Sequence, residues 1–146
     1  MQQLTANDID LCRSWLAMFG DAFEQVDTYT HAQPETAYLA KLLGGDQFIA
    51  LAALENGRVI GGLAAYVLPK FEQARSEIYV YDLAVREEHR RQGVATSLFQ
   101  ELNAIGAQRG AYVIFVQADP PDLPAVALYT KLGIREDVLH FDIAVK

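Results

Sequence analysis

The stretch Arg90-Arg91-Gln92-Gly93-Val94-Ala95 decides the fold, because it joins an apolar strand to an amphipathic helix. The strand is apolar from Ile78 to Val85, and the helix is predicted from near Gly93 to Gly110. The start of a helix exposes backbone N–H groups without an intrahelical acceptor, and the helix dipole adds partial positive charge. Glycine and alanine let a bulky anion approach this backbone, while arginines add donors and charge. The pattern is typical of a turn that binds a pyrophosphate.

A simpler interpretation of the same stretch is a solvated surface turn. Glycine between a strand and a helix is common, and adjacent arginines are usually surface charge. No Gly-Lys-Ser/Thr follows Gly93, so the stretch is not a Walker loop, and the three-glycine dinucleotide fingerprint is missing. The flanking sequence therefore has to decide between the two interpretations.

Length and composition predict one globular domain over residues 1–146, with 51% hydrophobic and 21% charged residues. The net charge of −7 disfavours nucleic acid as a partner and favours a cationic one. No apolar run approaches the roughly 18 residues of a membrane span, and the N-terminus lacks the basic region of a signal peptide. The single cysteine, Cys12, lies in an apolar helical pattern typical of a core filler and fits a reducing compartment. We therefore expect a soluble, cytoplasmic protein that has no membrane partner.

The N-terminal part predicts a short strand that ends at Leu4, followed by two helices. Thr5 offers the N-cap of the first helix, and Gly20 is its predicted stop. Residues 21–33 predict a loop or a short irregular helix. The second helix, Glu35–Leu43, is opened by the preceding proline.

The rest of the chain predicts a mixed sheet with helices on both faces, which is an α/β (α+β) fold. Apolar runs bounded by turn residues predict the strands Phe48–Leu54, Val59–Leu68, Ser76–Val85, Tyr112–Gln117 and Val138–Val145. Asn56-Gly57 predicts a hairpin turn, and Gly61-Gly62 predicts a bulge or close packing. A short helix is predicted over Leu123–Leu132. The strand–helix–strand unit around the arginine turn should be parallel, with a right-handed crossover.

These features together resemble the GNAT superfamily of acyl-CoA-dependent N-acetyltransferases. The family's Gln/Arg-x-x-Gly-x-Gly/Ala signature is matched by Arg90, Gly93 and Ala95. Its closing pattern, Asn-x-x-Ala-x-x-x-Tyr-x-x-x-Gly-Phe, is met with Asp for Asn and Ile for Phe, by Asp122, Ala125, Tyr129, Gly133 and Ile134. The resemblance implies the GNAT fold, with a mostly antiparallel sheet and a splayed parallel strand pair. It also implies acetyl-CoA as co-substrate and no metal.

A closer resemblance is to the type I aminoglycoside 3-N-acetyltransferases. It is carried by the segments Phe48–Ala53, Ala64–Gln73, Tyr81–Val85, Glu88–Gly93, Ala125–Glu136 and Phe141–Ile143. This resemblance implies a cationic aminoglycoside partner, acetylated on the 3-amino group of a 2-deoxystreptamine antibiotic of the gentamicin or fortimicin kind. The activity would confer antibiotic resistance. Both the resemblance and the apolar strand Val138–Val145 are compatible with a homodimer.

The resemblance implies direct transfer, in which the amine attacks the thioester carbonyl without an acyl-enzyme. It assigns the cofactor diphosphate to the arginine turn, namely Arg90, Arg91, Gln92, Gly93, Val94, Ala95 and Thr96. The pantetheine arm is assigned to the strand edge at Leu83 and Val85, and the oxyanion to a backbone N–H near Leu83 or Ala84. Asp122 and Ala125 are assigned to the cofactor as well.

Two residues are the candidates for moving protons. Tyr129 is the candidate donor to the leaving thiolate, although a tyrosine on a short helix is also typical of a core aromatic. Asp82 is the candidate base for the ammonium of the acceptor, because a carboxylate in an apolar strand is costly without a reason. An edge-facing or salt-bridged aspartate is the alternative for Asp82. The three histidines are scattered and are assigned neither a metal nor the role of base.

The remaining site residues are assigned to binding of the acceptor. They are Glu77, Asp119, Asp142, Tyr66 and Tyr81, and together with Asp82 the acidic ones would form an anionic cleft. Glu24, Asp27 and Tyr29 are further candidates to line this cleft. Two alternatives stay open: a GNAT enzyme for a polyamine, a small amine or a protein N-terminus, and an acyl-CoA-binding regulatory module without turnover.

Overall fold

The computed structural model describes all of residues 1–146. It is built on one five-stranded sheet in the order β1-β2-β3-β4-β5. The strands are β1 (Gln2–Gln3), β2 (Phe48–Glu55), β3 (Arg58–Pro69), β4 (Ser76–Val85) and β5 (Ala111–Val116). Neighbouring strands are antiparallel up to β4, and β5 runs parallel to β4. The predicted mixed, mostly antiparallel sheet with one parallel pair is confirmed.

Helices cover both faces of the sheet. They are α1 (Ile9–Phe23), α2 (Thr36–Gly44), α3 (Val94–Gln108) and α4 (Leu123–Leu132), with a π-helical turn at Asp27–His31 and a 3-10 turn at Glu87–His89. The α1 face is filled by a buried cluster that includes Trp15 and Phe19, and the α3 face by a second cluster that includes Leu98 and Leu102. No helix is long and apolar enough to cross a membrane.

Both predicted ends of the first helix were wrong. Thr5 does not cap it; instead Asp8 Oδ2 accepts hydrogen bonds from Thr5 N and Thr5 Oγ1, both at 2.7 Å, and the helix begins at Ile9. Gly20 lies inside α1, where an added Cβ would come within 2.9 Å of Thr30 Oγ1. Gly20 is therefore needed for close approach of the π turn, and the helix ends only where Glu24 adopts a left-handed conformation. The prediction of irregular structure within residues 21–33 is confirmed by the π turn.

The predicted hairpin between β2 and β3 is confirmed. Asn56 and Gly57 both have positive φ, 49° and 77°, as a type I′ turn requires.

Close packing explains the glycine pair in β3. A Cβ at Gly61 would lie 3.0 Å from Val94 Cγ1, and a Cβ at Gly62 would overlap the Trp15 ring, whose Nε1 donates to Leu51 O at 2.8 Å.

Two predictions for the C-terminal part were wrong. The apolar run Tyr112–Gln117 predicts a buried strand, but β5 is an edge strand in which Tyr112 is 48% and Val113 39% exposed. Residues 138–145 do not form a strand, because no strand of the same chain lies beside them. Residues 134–146 are exposed throughout and form hydrogen bonds only among themselves.

Candidate active site

The candidate site begins where β4 and β5 separate. Their pairing ends at Val80 and Val116, whereas β4 continues to Val85. The end of β4 is thus bonded to β3 on one side and has a free edge on the other. A free edge presents backbone N–H and C=O groups that can pair with an extended ligand. The residues predicted to bind the pantetheine arm, Leu83 and Val85, and Ala84, named with Leu83 for the oxyanion, all lie in this free stretch.

A β-bulge determines which way the acidic side chain of β4 points. Ala64 of β3 is opposite Asp82, but the next residue, Ala65, is opposite Val80, so Tyr81 is inserted. Side chains in a regular strand alternate between the two faces, which would place Asp82 with Val80 on the α3 side. The inserted residue moves Asp82 to the α1 side instead. The sequence carries no signal for this bulge.

The carboxylate of Asp82 is half-buried and is held by one tyrosine. Tyr29 Oη donates a 2.9 Å hydrogen bond to Asp82 Oδ2, and the ring of Tyr29 packs against Phe19 and Phe23 with centroids 6.0 and 5.8 Å apart. Burial raises the pKa of Asp82, and the bond from Tyr29 opposes part of this rise. The pKa of Tyr29 is also raised, by burial and by Asp82. No cation pairs with Asp82, so the salt-bridged alternative does not apply.

Three tyrosines of β3 and β4 extend the site from Asp82 along the α1 side of the sheet. The ring of Tyr81 lies edge-on to those of Tyr66 and Tyr79, with centroids 5.9 Å apart in each pair. Tyr81 is 62% exposed and Tyr66 37%, so their faces are open to a ligand. Tyrosine faces attract cations that come within about 6 Å. Tyr79 was missing from the predicted site, although its spacing of two residues from Tyr81 is the strand period.

The arginine turn has the geometry of an anion site. Gly93, with φ 83°, precedes α3, and the first helical hydrogen bond is Ser97 N to Gly93 O at 2.9 Å. The backbone N–H groups of Val94, Ala95 and Thr96 therefore have no acceptor in the chain. Arg90 Nε donates to Val85 O at 3.1 Å, which ties the turn to the end of β4. These donors fit a diphosphate.

Tyr129 lies on α4 with its ring half-buried edge-on against Phe99, at 5.8 Å between centroids. Its hydroxyl forms no hydrogen bond within the chain. Burial, and then the nearby carboxylate of Asp122, raise the pKa of Tyr129 to about 12. Asp122 Oδ1 accepts a 3.2 Å bond from Ala125 N, so the aspartate found in place of asparagine still caps the helix.

The other predicted acidic residues are not brought together with Asp82 by this chain alone. Glu77 is five positions away, about 16 Å along the strand, and binds Tyr112 Oη and, at 3.3 Å, Lys70 Nζ. These partners lower the pKa of Glu77. Asp119 is in an exposed loop, and Asp142 pairs only with His140 in the exposed C-terminal segment. Their assignment to acceptor binding stays a prediction.

The other acidic candidates, Glu24 and Asp27, line an open cavity of about 650 Å³ at the end of α1.

No group of three or more His, Cys, Asp or Glu side chains is placed to hold a metal ion.

The sequence profile of the acetyltransferase (GNAT) family matches residues 11–134 of this chain. The chain belongs to the GNAT acetyltransferase family. The predicted fold, family and enzyme class are therefore confirmed. GNAT acetyltransferases use acetyl-CoA, and the free β4 edge and the donors of the arginine turn suit this co-substrate.

Two solved structures of similar sequence are aminoglycoside acetyltransferases from uncultured soil metagenomic samples. One is 60% identical, with 99% of this chain and 97% of that chain covered at a TM-score of 0.97. The other, in complex with sisomicin, is 30% identical, with 99% and 95% covered at a TM-score of 0.91. The coverage and score of the first superposition mean that it includes the exposed C-terminal segment.

A curated relative of different specificity is an N-alpha-acetyltransferase from Sulfurisphaera tokodaii. It is 29% identical over 96 residues, which are 58% of this chain and 58% of the relative. The chain thus matches little more than half the length of this relative.

Proposed function

We propose that this GNAT acetyltransferase transfers an acetyl group from acetyl-CoA to the 3-amino group of 2-deoxystreptamine antibiotics and thereby confers resistance. The observation that carries the proposal is the half-buried, cation-free carboxylate of Asp82, which lies at the β4 bulge beside open tyrosine faces. The two soil enzymes support the substrate class. The choice of the 3-amino group rests on the resemblance to the type I enzymes.

Binding of the co-substrate is proposed at the residues already assigned to it. The free N–H groups of Val94, Ala95 and Thr96, with the side chains of Arg90 and Arg91, would hold the diphosphate. The unpaired edge of β4 from Leu83 to Val85 would bind the amides of the pantetheine arm. When bound, acetyl-CoA supplies an acyl group activated as a thioester.

Asp82 is proposed as the base that takes a proton from the acceptor's ammonium, directly or through one water. Its raised pKa makes it a stronger base than an ordinary aspartate, and the bond from Tyr29 leaves Oδ1 free for the proton. Tyr129 is proposed to donate to the leaving thiolate. Because the pKa of Tyr129 is raised to about 12, its hydroxyl keeps its proton at neutral pH.

Recognition of the acceptor is proposed to combine aromatic contact and charge. The faces of Tyr66 and Tyr81 suit the amino sugars of a polycation, and the net charge of −7 attracts it to the enzyme. Glu77, Asp119 and Asp142 are proposed as further anionic contacts.

We also propose that the enzyme acts in the cytoplasm, since a single buried thiol, Cys12, fits a reducing compartment.

The test is release of coenzyme A thiol from acetyl-CoA by purified protein, with gentamicin, spermidine or an N-terminal peptide as acceptor. We expect fast release with gentamicin, and NMR of the product should place the acetyl group on the 3-amino nitrogen. Another position would keep the substrate class and overturn the regiochemistry. Release only with spermidine or peptide would overturn the antibiotic assignment.

A second candidate function is acetylation of a protein N-terminus, because the curated relative acts as an N-alpha-acetyltransferase. An α-amine has a pKa near 8 and needs less help from a base than a more basic amine. The same panel separates the two functions. A ratio of kcat/KM that favours the peptide would select the second.

A further inference from the structure

Arg86 lies between the two parts of the candidate co-substrate site. It follows directly after the free edge of β4, which ends at Val85, and it precedes the arginine turn, which begins at Arg90. Its side chain is only 19% exposed, whereas surface arginines extend into solvent. A guanidinium that is mostly buried needs hydrogen-bond acceptors from the protein. The acceptors of Arg86 therefore indicate what its side chain holds together.

Both the main chain and the side chain of Arg86 bind the first residues of β3. Arg86 N donates to Ile60 O, and Arg86 Nε donates to Val59 O, each at 2.8 Å. Val59 is 2% and Ile60 8% exposed, so both bonds end on a well-packed part of the sheet. The bond from the guanidinium is charge-assisted and is therefore stronger than one between neutral groups. Arg86 is thus fixed to β3 at two points.

The other end of the guanidinium reaches the last part of α1. Arg86 Nη1 lies 3.3 Å from Asp21 Oδ2. The side chain of Asp21 is 57% exposed, and an ion pair that is open to solvent contributes little to stability. The bond to Val59 O is therefore the main contact of the Arg86 side chain.

The other side-chain contacts between the β2–β3 hairpin and the segment after β4 are more exposed. Arg58 pairs with Glu88 at 3.2 Å, and their side chains are 59% and 53% exposed. His89 Nε2 lies 3.8 Å from Glu55 Oε2, and Glu55 is 57% exposed. Such pairs are screened by solvent and are weak. The strongest side-chain link between this segment and β3 is therefore the one made by Arg86.

We propose that Arg86 is a positioning residue for acetyl-CoA, which fixes the arginine turn relative to the free edge of β4. The diphosphate and the pantetheine arm belong to one molecule, so the turn and the edge must be correctly spaced to bind both at once. A turn that shifts against β3 would make one set of contacts at the expense of the other. The inference rests on the proposed co-substrate site and does not depend on which amine is acetylated.

Isothermal titration calorimetry with acetyl-CoA tests this role without turnover. We expect Arg86→Gln to raise the Kd about tenfold, because the charge-assisted bond to Val59 O is lost. Arg86→Lys keeps the positive charge but has no guanidinium fork, so it should raise the Kd nearly as much. Asp21→Asn weakens only the exposed ion pair and should leave the Kd within about twofold of the native value.

Ile105→Val is the control for a loss of stability alone. It removes a buried methylene group in the second half of α3, so the midpoint of chemical denaturation should fall while the Kd stays native. If Arg86→Gln does not fold, Arg86→Lys carries the same test. A native Kd in Arg86→Lys would show that charge and not position matters, and would overturn the proposal. A native protein that does not bind acetyl-CoA would overturn the proposed co-substrate site itself.

Discussion

At the scale of single residues, the proposed chemistry depends on the pair formed by Asp82 and Tyr29. These residues are 53 positions apart and meet only because Tyr81 is inserted into β4. Burial raises the pKa of Asp82, while the phenol of Tyr29 stabilises its charged form. In the proposed mechanism Tyr29 is therefore a positioning residue that sets how strongly Asp82 binds a proton.

Tyr29→Phe should move the acid limb of the pH profile to higher pH. Loss of the hydrogen bond removes the interaction that lowers the pKa of Asp82, so this pKa rises and more carboxylate is protonated at a given acidic pH. The measurement is kcat/KM against pH with gentamicin. The control is Tyr38→Phe, which alters an exposed phenol on α2. A limb that stays in place or moves to lower pH would contradict this role.

Tyr129→Phe should reduce kcat by about 10²-fold and leave the KM for acetyl-CoA unchanged, since only proton donation is lost. Because the pKa of Tyr129 is raised to about 12, the native enzyme should show no loss of activity below about pH 11 from ionisation of this residue. Pre-steady-state rates of thiol release with saturating gentamicin measure the effect. An unchanged rate would assign Tyr129 to packing against Phe99.

At the scale of elements, the position of α3 depends on a glycine in β3. An added Cβ at Gly61 would lie 3.0 Å from Val94 Cγ1 and 3.2 Å from Ala84 O, so it would push the start of α3 away from the sheet. The same helix start carries the free N–H groups proposed to bind the diphosphate.

Gly61→Ala should therefore raise the KM for acetyl-CoA and lower the free energy of unfolding by about 1–3 kcal/mol. Chemical denaturation and initial rates measure the two effects. Gly45→Ala is the matched control, because its Cβ would meet only ordinary contacts of 3.5 Å and its φ is negative. Equal effects of the two substitutions would show that Gly61 does not position α3.

Local patterns made most of the elements predictable. The bounds of α4 and β4 were predicted correctly, because turn residues and glycines delimit them, and Asn56-Gly57 has few conformations other than a hairpin turn. The prediction that Gly20 ends the first helix was wrong because a glycine can either end a helix or lie inside it where another segment packs closely. Only the position of Thr30, which the local sequence does not show, distinguishes these two roles. Residues 138–145 have the residue pattern of a strand, but the strand prediction was wrong because the chain supplies no strand to pair with them.

The candidate site was predictable in part for the same reason. Asp82 and Tyr129 stand out as polar groups in apolar or patterned surroundings. The direction in which Asp82 points arises from a β-bulge, and its hydrogen bond from Tyr29 joins residues that are far apart in the chain. Neither feature can be predicted from the local sequence. Glu77 was grouped with Asp82 on charge alone, whereas its position five residues away along β4 separates the two.

At the scale of the whole molecule, the net charge of −7 should steer a polycation to the enzyme. Salt screens this attraction, since the Debye length falls from about 10 Å at 0.1 M to about 3 Å at 1 M. We expect kcat/KM for gentamicin to fall about tenfold over this range. For the N-terminal peptide, with one ammonium group, the fall should be smaller. Equal salt dependence for both acceptors would contradict electrostatic selection of the antibiotic.

Asp82 is proposed as the base that prepares the amine of an aminoglycoside for acetylation. The most direct measurement is kcat/KM for gentamicin against pH, in the native enzyme and in Asp82→Asn. We expect an acid limb in the native enzyme at a pKa above that of an ordinary aspartate, because burial disfavours the charged carboxylate. In Asp82→Asn that limb should vanish and kcat/KM should drop by about 10²-fold or more. A variant with near-native activity and the same acid limb would contradict the role of Asp82 as the base.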